Sequence, residues 1–181
     1  MPSIKNITEI FNSQQIPSKS IDLTVSLNEL DNIAQEFKNN LQPGDWLFLD
    51  GDLGSGKTTF VKKLVQSYNN SNDNTSSPTF PILNCINIDH KYTASNLRKI
   101  IHLDLYRIKK GIELLYLGLE QEFSPKNSIC IFEWPYNIEK EDFLSFFATT
   151  KCAHPLRIIE IQFELDSQSN HRLYSIKKMQ L

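Results

Sequence analysis

The sequence predicts an α/β fold: a three-layer sandwich in which helices cover a mixed β-sheet. Three observations carry that expectation. Short apolar runs alternate along the chain with segments of helical periodicity, the pattern of strand–helix units. Two of the runs, Trp46–Leu49 and Ile129–Phe132, are apolar at every position, as strands buried on both faces require. A glycine-rich segment stands where the first of these gives way to a helix.

Taken in order, residues 1–20 are polar and weakly patterned and read as an N-terminal arm, loose or a short helix, ahead of one domain over 21–181. Ile21–Ser26 alternates apolar and polar through Ile21, Leu23 and Val25, a strand. Leu27, Leu30, Ile33, Ala34, Phe37 and Leu41 then recur at helical spacing over Leu27–Leu41, and Pro43-Gly44 ends that helix. After the strand at Trp46–Leu49, Thr58–Tyr68 is a helix that turns Phe60, Val61, Leu64 and Val65 inward. Asn69–Ser77 is too polar to order itself by burial, so a mobile loop is expected there. Strands follow at Thr79–Ile88 and Lys99–Arg107, with the polar connection Asp89–Asn96 between them, and a short helix at Glu113–Leu119. Beyond the strand Ile129–Phe132, Asn137–Phe147 is helical. Leu156–Leu165 and His171–Lys178 are strands able to pair through the polar turn Asp166–Asn170.

Composition narrows the function classes. The chain of 181 residues is 40% hydrophobic and 22% charged, ordinary values for a folded soluble protein. The formal net charge of −2 lacks the surplus of Lys and Arg on which general nucleic-acid binding depends, so no independent DNA binding is expected. Three cysteines, Cys85, Cys130 and Cys152, contain no C-x-x-C pair; a disulfide framework and a zinc site are both poorly supported, and Cys130 reads as a buried thiol. That usage suits a reducing, cytoplasmic setting. Met1–Ser18 has no continuous apolar core, and no apolar run approaches the roughly 20 residues that span a membrane, so neither a signal peptide nor a membrane segment is expected.

The chemistry concentrates at Gly51-Asp52-Leu53-Gly54-Ser55-Gly56-Lys57-Thr58, which fits G-x-x-x-x-G-K-[ST] at every fixed position and lies between an apolar strand and an amphipathic helix. Glycines let the backbone curl until successive N–H groups point inward at phosphate oxygens, and the helix N-terminus adds roughly half a positive charge. Lys57 supplies an ammonium for the β- and γ-phosphates, and Thr58 a hydroxyl for Mg²⁺. Ser55 and Thr59 place further N–H groups within reach. The motif therefore predicts a P-loop NTPase-like fold that binds a nucleoside triphosphate, Mg·ATP first among the candidates.

Hydrolysis also requires a carboxylate that holds Mg²⁺ or orients the attacking water. Two compete. Glu133 ends the apolar strand Ile129–Phe132, the Walker B pattern. Asp104 lies in Ile100–Arg107, where Ile101, Leu103 and Leu105 face the core and His102, Asp104 and Tyr106 share the other face. His102 by itself reads as a hydrogen-bonded structural residue. Thr79, in Ser-Pro-Thr-Phe, is placed to sense a γ-phosphate or simply to shape a turn. Trp134 is either core packing or a contact for a partner.

Four segments, GDLGSGKTTF at 51–60, SPTF at 77–80, HLDLYR at 102–107 with LGLEQEF at 117–123, and ICIFEWP at 129–135, stand in an order and spacing that resemble the TsaE (YjeE) family. The likeness runs from about Ile21 to Lys178. It implies a P-loop ATPase, weak alone, that serves with the partners TsaB and TsaD in N6-threonylcarbamoyladenosine modification of tRNA, meeting tRNA only indirectly. In that picture Lys57 and Thr58 hold phosphate and Mg²⁺, Thr79 belongs to a switch-like loop, Asp104 lies near the nucleotide and Glu133 completes the metal site. The sequence departs from the family pattern in a longer Asn84–Lys99 segment without an Asn-Glu-Tyr-like stretch, in the absence of a threonine near Leu30, and in extensions before Ile21 and over Asn137–Ala153.

Two other readings share the same cradle. A small-molecule or nucleoside P-loop kinase needs mobile arginines over the transferring phosphate; Arg98 and Arg107 are available, but no Arg-rich lid is visible. A nucleotide-gated binding module with incidental hydrolysis needs nothing more than the P-loop. A GTPase is disfavoured, since neither Asn-Lys-x-Asp nor Asp-x-x-Gly occurs.

Overall fold

The computed structural model describes residues 7–12, 20–69, 82–89, 96–117, 126–139, 141–143, 145–146, 155–166, 169 and 171–179. Seven strands form one mixed sheet: β1 (Ile21–Val25), β2 (Asp45–Gly51), β3 (Leu83–Asn87), β4 (Lys99–Asp104), β5 (Ser128–Glu133), β6 (Arg157–Leu165) and β7 (Arg172–Met179), in the order β1-β7-β6-β2-β5-β4-β3. β2 lies between β5 and β6 and is parallel to both; β4 is parallel to β5. β7 returns antiparallel beside β6, β1 pairs antiparallel with β7, and β3 pairs antiparallel with β4. The mixed α/β sandwich expected from the sequence is what forms, and the C-terminal ends of β2, β4 and β5 meet along one edge.

The two-sided hydrophobicity of β2 explains its central place. Leu47 and Leu49 enter one core with α1 (Ile7–Asn12), α2 (Leu30–Asn40) and α3 (Lys57–Asn69); Trp46 and Phe48 enter the other with Phe132, Leu114, Phe143 and Phe146. Fully burying a side chain such as Leu64 or Phe60 stabilises the fold by about 1.5–3 kcal/mol, so the apolar face of α3 fixes the helix whose first turn carries Lys57 and Thr58. The second covering layer is a 3₁₀ segment, Gly111–Leu117, with helical residues at 141–143 and 145–146.

Several elements differ in detail from the sequence expectation. The first helix opens as a 3₁₀ turn, Leu27–Glu29, before becoming α-helical at Leu30. The tighter turn takes Leu27 off the apolar face, and it is 68% exposed. The strand expected over Lys99–Arg107 ends at Asp104, where the Asp104 carboxylate accepts the Tyr106 amide and turns the chain. Within residues 1–20, the short-helix alternative forms over Ile7–Asn12, with Ile7, Ile10 and Phe11 buried. Arg157 ties it down: its guanidinium forks onto Asp45 at 2.8 and 2.5 Å and also donates to the Phe11 and Asn40 carbonyls. Cys130 is buried and unbridged. The polar loop after Asn69, Thr79 with its Ser-Pro-Thr-Phe motif, residues 118–123 and Cys152 lie outside the described residues.

Gly51 shows how tightly the cradle is seated on the sheet. Its φ is 133°, and a Cβ there would stand 2.1 Å from the Phe163 carbonyl oxygen of β6. Gly51→Ala therefore forces backbone strain and pushes β2 from β6. The expected loss is about 2 kcal/mol, a drop in melting temperature of about 4–8 °C by thermal unfolding.

Candidate functional site

Geometry at the end of β2 follows from three glycines in the left-handed region, Gly51 at 133°, Gly54 at 80° and Gly56 at 109°. A Cβ on Gly54 would meet nothing within 4 Å, so glycine there serves the backbone conformation and leaves the concave face open. The Ser55 amide donates back to the Asp52 carbonyl, closing the turn, and α3 begins at Lys57. The loop thus leads into a helix N-terminus, whose first amides have no acceptor within the helix and suit an anion.

Lys57 is 4% exposed. Its Nζ donates to the carbonyls of Gly51 at 2.6 Å and Asp52 at 2.9 Å and lies 3.9 Å from the centre of the Trp134 ring. Burial pulls its pKa below the ordinary lysine value; the carboxylates of Glu133, Asp50, Asp104 and Asp52 work in the opposite direction. Trp134 is held in the left-handed region at φ 58°, before Pro135, with its amide bonded to the Leu49 carbonyl. That conformation costs a non-glycine residue about 1–2 kcal/mol. Here it turns the indole over the lysine and against the Tyr106 ring, 5.1 Å away. Trp134 is thus half-buried against the loop, between the two alternatives the sequence left open.

β4 and β5 bring both candidate carboxylates to the same edge, for Asp104 and Glu133 are register partners and Glu133 also pairs with Leu49 of β2. Their surroundings differ. Glu133 is 2% exposed; one carboxylate oxygen accepts the Thr58 hydroxyl at 2.9 Å, and the other lies 2.8 Å from His102 Nε2. Asp104 is half-exposed and bonds the Tyr106 amide. His102 stands where alternation put it, hydrogen-bonded to Glu133. Thr58 and Glu133 offer hard oxygen donors of the kind magnesium takes, backed by an imidazole that orients the carboxylate. Among the described residues no group of three His, Cys, Asp or Glu gathers around a point.

On the other side of the loop lies a groove of about 500 Å³, walled by Gly54, Gly56 and Thr59, by Val25, Ser26, Leu27 and Leu30, and by His171, Arg172 and Tyr174. Apart from the P-loop residues, none of these was singled out for the site from the sequence. One signal was available: Ser26-Leu-Asn-Glu29 has capping-box spacing, and the Glu29 carboxylate accepts both the amide and the hydroxyl of Ser26. Those bonds hold the Glu29 pKa below its ordinary value. Only the topology, which returns β7 beside β6 and sets β1 beside β7, reveals that this turn faces the P-loop.

The family model described as threonylcarbamoyl adenosine biosynthesis protein TsaE matches residues 24–172. Among curated proteins, the tRNA threonylcarbamoyladenosine biosynthesis protein TsaE of Rickettsia typhi is 33% identical over 153 residues, covering 84% of this chain and 91% of that one. The protein of the same name from Bacillus subtilis is 34% identical over 118 residues, 65% and 68% of the two chains. Among solved structures, Bacillus subtilis YdiB superposes with a TM-score of 0.57 at 23% identity, covering 93% of this chain and 90% of that one. No helix among the described residues is long and apolar enough to cross a membrane.

Proposed function

The chain belongs to the TsaE family of tRNA threonylcarbamoyladenosine biosynthesis, and from that premise we propose that it is a magnesium-dependent ATPase whose turnover serves a TsaB–TsaD complex in the cytoplasm, with tRNA as the indirect beneficiary. The observation that carries the proposal is the hydrogen bond between Thr58 and the buried carboxylate of Glu133, directly beside the P-loop amides.

The residues divide the work as follows. The amides from Gly54 to Thr59, with Gly51, Asp52 and Leu53 shaping the turn, receive the phosphate chain. Lys57 leaves the Gly51 and Asp52 carbonyls to neutralise the terminal phosphates, and its loss of water on burial strengthens that attraction. Thr58 and Glu133 would hold magnesium, which when bound offsets charge on the leaving diphosphate. Glu133, aligned by His102, orients the attacking water; the water oxygen bonds to the γ-phosphorus as the Pβ–O–Pγ link breaks, giving ADP and phosphate with the water's proton released to solvent. Asp104 adds negative charge at the rim, and Thr79 is assigned to sense the γ-phosphate.

The positioning role of His102 has a measurable consequence. His102→Gln is expected to lower the rate of ATP cleavage about tenfold, within the usual range for a group that orients a metal-site carboxylate, and to leave ATP affinity within about twofold. Single-turnover and equilibrium-binding experiments separate the two. The function itself is tested by single-turnover cleavage of ATP with and without TsaB–TsaD. Acceleration by the complex, dependent on magnesium, is expected. Magnesium-independent turnover, or equal rates with and without the complex, contradicts the proposal.

A further inference from the structure

The turn that follows Glu133 is fastened at three points. The Trp134 amide bonds the Leu49 carbonyl of β2, and the Asn137 side-chain amide donates to the carbonyls of Leu105 and Tyr106, just past β4. The third anchor is Tyr136, the middle residue of the 3₁₀ turn Pro135–Asn137, whose hydroxyl donates to the carboxylate of Glu160 on β6. β5 and β6 flank β2, so this bond ties the exit of β5 to β6 across the strand that leads into the P-loop.

Glu160 is out of character with its surroundings. Register aligns Phe132, Phe48, Glu160 and Lys177 in one row across β5, β2, β6 and β7, and the two phenylalanines belong to the second core. The carboxylate stands in a residue only 5% exposed, where an unpaired charge is costly. It is paired twice: the Lys177 ammonium lies 2.9 Å from one oxygen, and the Tyr136 hydroxyl donates to the other. The Met179 sulfur is 3.5 Å from the same hydroxyl, but a thioether is the weaker acceptor and the phenol has one proton to give. Burial, the bond to Glu160 and the negative charges of Glu160 and Asp50 all push the Tyr136 pKa up, so the phenol keeps that proton at neutral pH.

Two residues before Tyr136, Trp134 sits in the left-handed conformation that lays its indole on the Lys57 ammonium, 3.9 Å from the ring centre. A residue in such a conformation keeps it only where the surroundings over-determine it. Building on the nucleotide reading above, we infer that Tyr136 and Glu160 are positioning residues, whose bond holds the Trp134 turn closed so that the indole keeps Lys57 seated beside the phosphate-binding amides. Without the brace the indole leaves the lysine more often. The ammonium then loses a cation–π partner and its preorganisation, and ATP binding weakens.

The test reads Trp134 directly. The chain has two tryptophans, and Trp46 is 3% exposed, so acrylamide quenching of tryptophan fluorescence reports mainly on Trp134. For Tyr136→Phe, which removes only the hydroxyl, quenching without nucleotide is expected to rise about twofold, and the Kd for Mg·ATP about three- to tenfold, well below the melting temperature. Glu160→Leu should match it, while Glu160→Gln, which keeps an acceptor for the phenol, should do less. In a Trp134→Ala background, Tyr136→Phe should cost no further affinity, because it acts through the indole. A Tyr136→Phe protein that melts lower yet keeps wild-type quenching and ATP affinity overturns the inference and leaves the nucleotide reading standing. A further loss in the Trp134→Ala background also overturns it, since the phenol would then act by another route. A wild-type chain that binds no ATP removes the nucleotide reading and this inference together.

Discussion

Lys57→Ala removes saturable ATP binding at concentrations up to at least about a hundred times the wild-type Kd, while the variant melts within a few degrees of wild type. The argument has two parts. The ammonium is buried at 4% exposure among the amides that receive the phosphates, where its charge is poorly screened, so its loss exceeds the cost of an ordinary surface contact. Stability behaves differently. Burial lowers the Lys57 pKa, so the proton is held more tightly in the unfolded chain than in the folded one. The charged lysine thus contributes no net stabilisation at neutral pH, and stability rises slightly as pH climbs through the lowered pKa toward the unfolded value of 10.5. Losing the side chain leaves the core of α3 intact. Lys57→Met, which keeps the stem under the Trp134 ring, is the control for packing. Binding by calorimetry and unfolding by circular dichroism check both halves; retained affinity in both variants would show that phosphate is held elsewhere.

Glu133→Gln is expected to separate binding from chemistry. Glutamine preserves the volume and one carbonyl oxygen, so the strand end and the Thr58 contact survive and ATP affinity stays within a few-fold. The negative charge is gone, and with it both the anionic metal donor and the group that aligns water. Cleavage should fall about 10²–10³-fold, the usual scale for losing a general base or a preorganised charge. Quenched-flow single turnover is the measurement. Unchanged cleavage would transfer the role to Asp104, the register partner across β4, and Asp104→Asn would then carry the defect.

How much of this was legible before folding depends on how local each signal was. The phosphate cradle is contiguous, and its glycines, lysine and threonine are demanded by backbone geometry and charge within eight residues, so the motif could be read directly. The apolar runs of β2 and β5 announced central strands because burial on both faces leaves no polar position. Alternation in β4 placed His102 and Asp104 on one face, yet Ile100 on that same face is fully buried, so the strand is covered on both sides rather than half-exposed.

Proximity across long separations was legible only through a motif. Thr58 and Glu133 are 75 positions apart and were joined by the Walker B pattern and the family resemblance; parallel pairing of β2 with β5 makes them hydrogen-bond partners. The groove was hidden more completely, since it joins the end of β1, the loop after β2 and the start of β7. The short 3₁₀ turn at Leu27–Glu29 was read as helix because an apolar residue at the right spacing looks the same whether it faces a core or a groove rim. The buried face of Ile7–Asn12 escaped notice for a related reason, since three apolar residues in a polar stretch carry little periodic signal.

The account depends on polyphosphate and metal meeting at Gly51–Thr58, and the electron density of the chain crystallised with magnesium and a non-hydrolysable ATP analogue tests this directly. The triphosphate is predicted to lie against the amides of Gly54–Thr59, with the Lys57 ammonium on its terminal phosphates and magnesium on the Thr58 hydroxyl beside Glu133. Nucleotide density away from this loop, or none under saturating analogue, would contradict it.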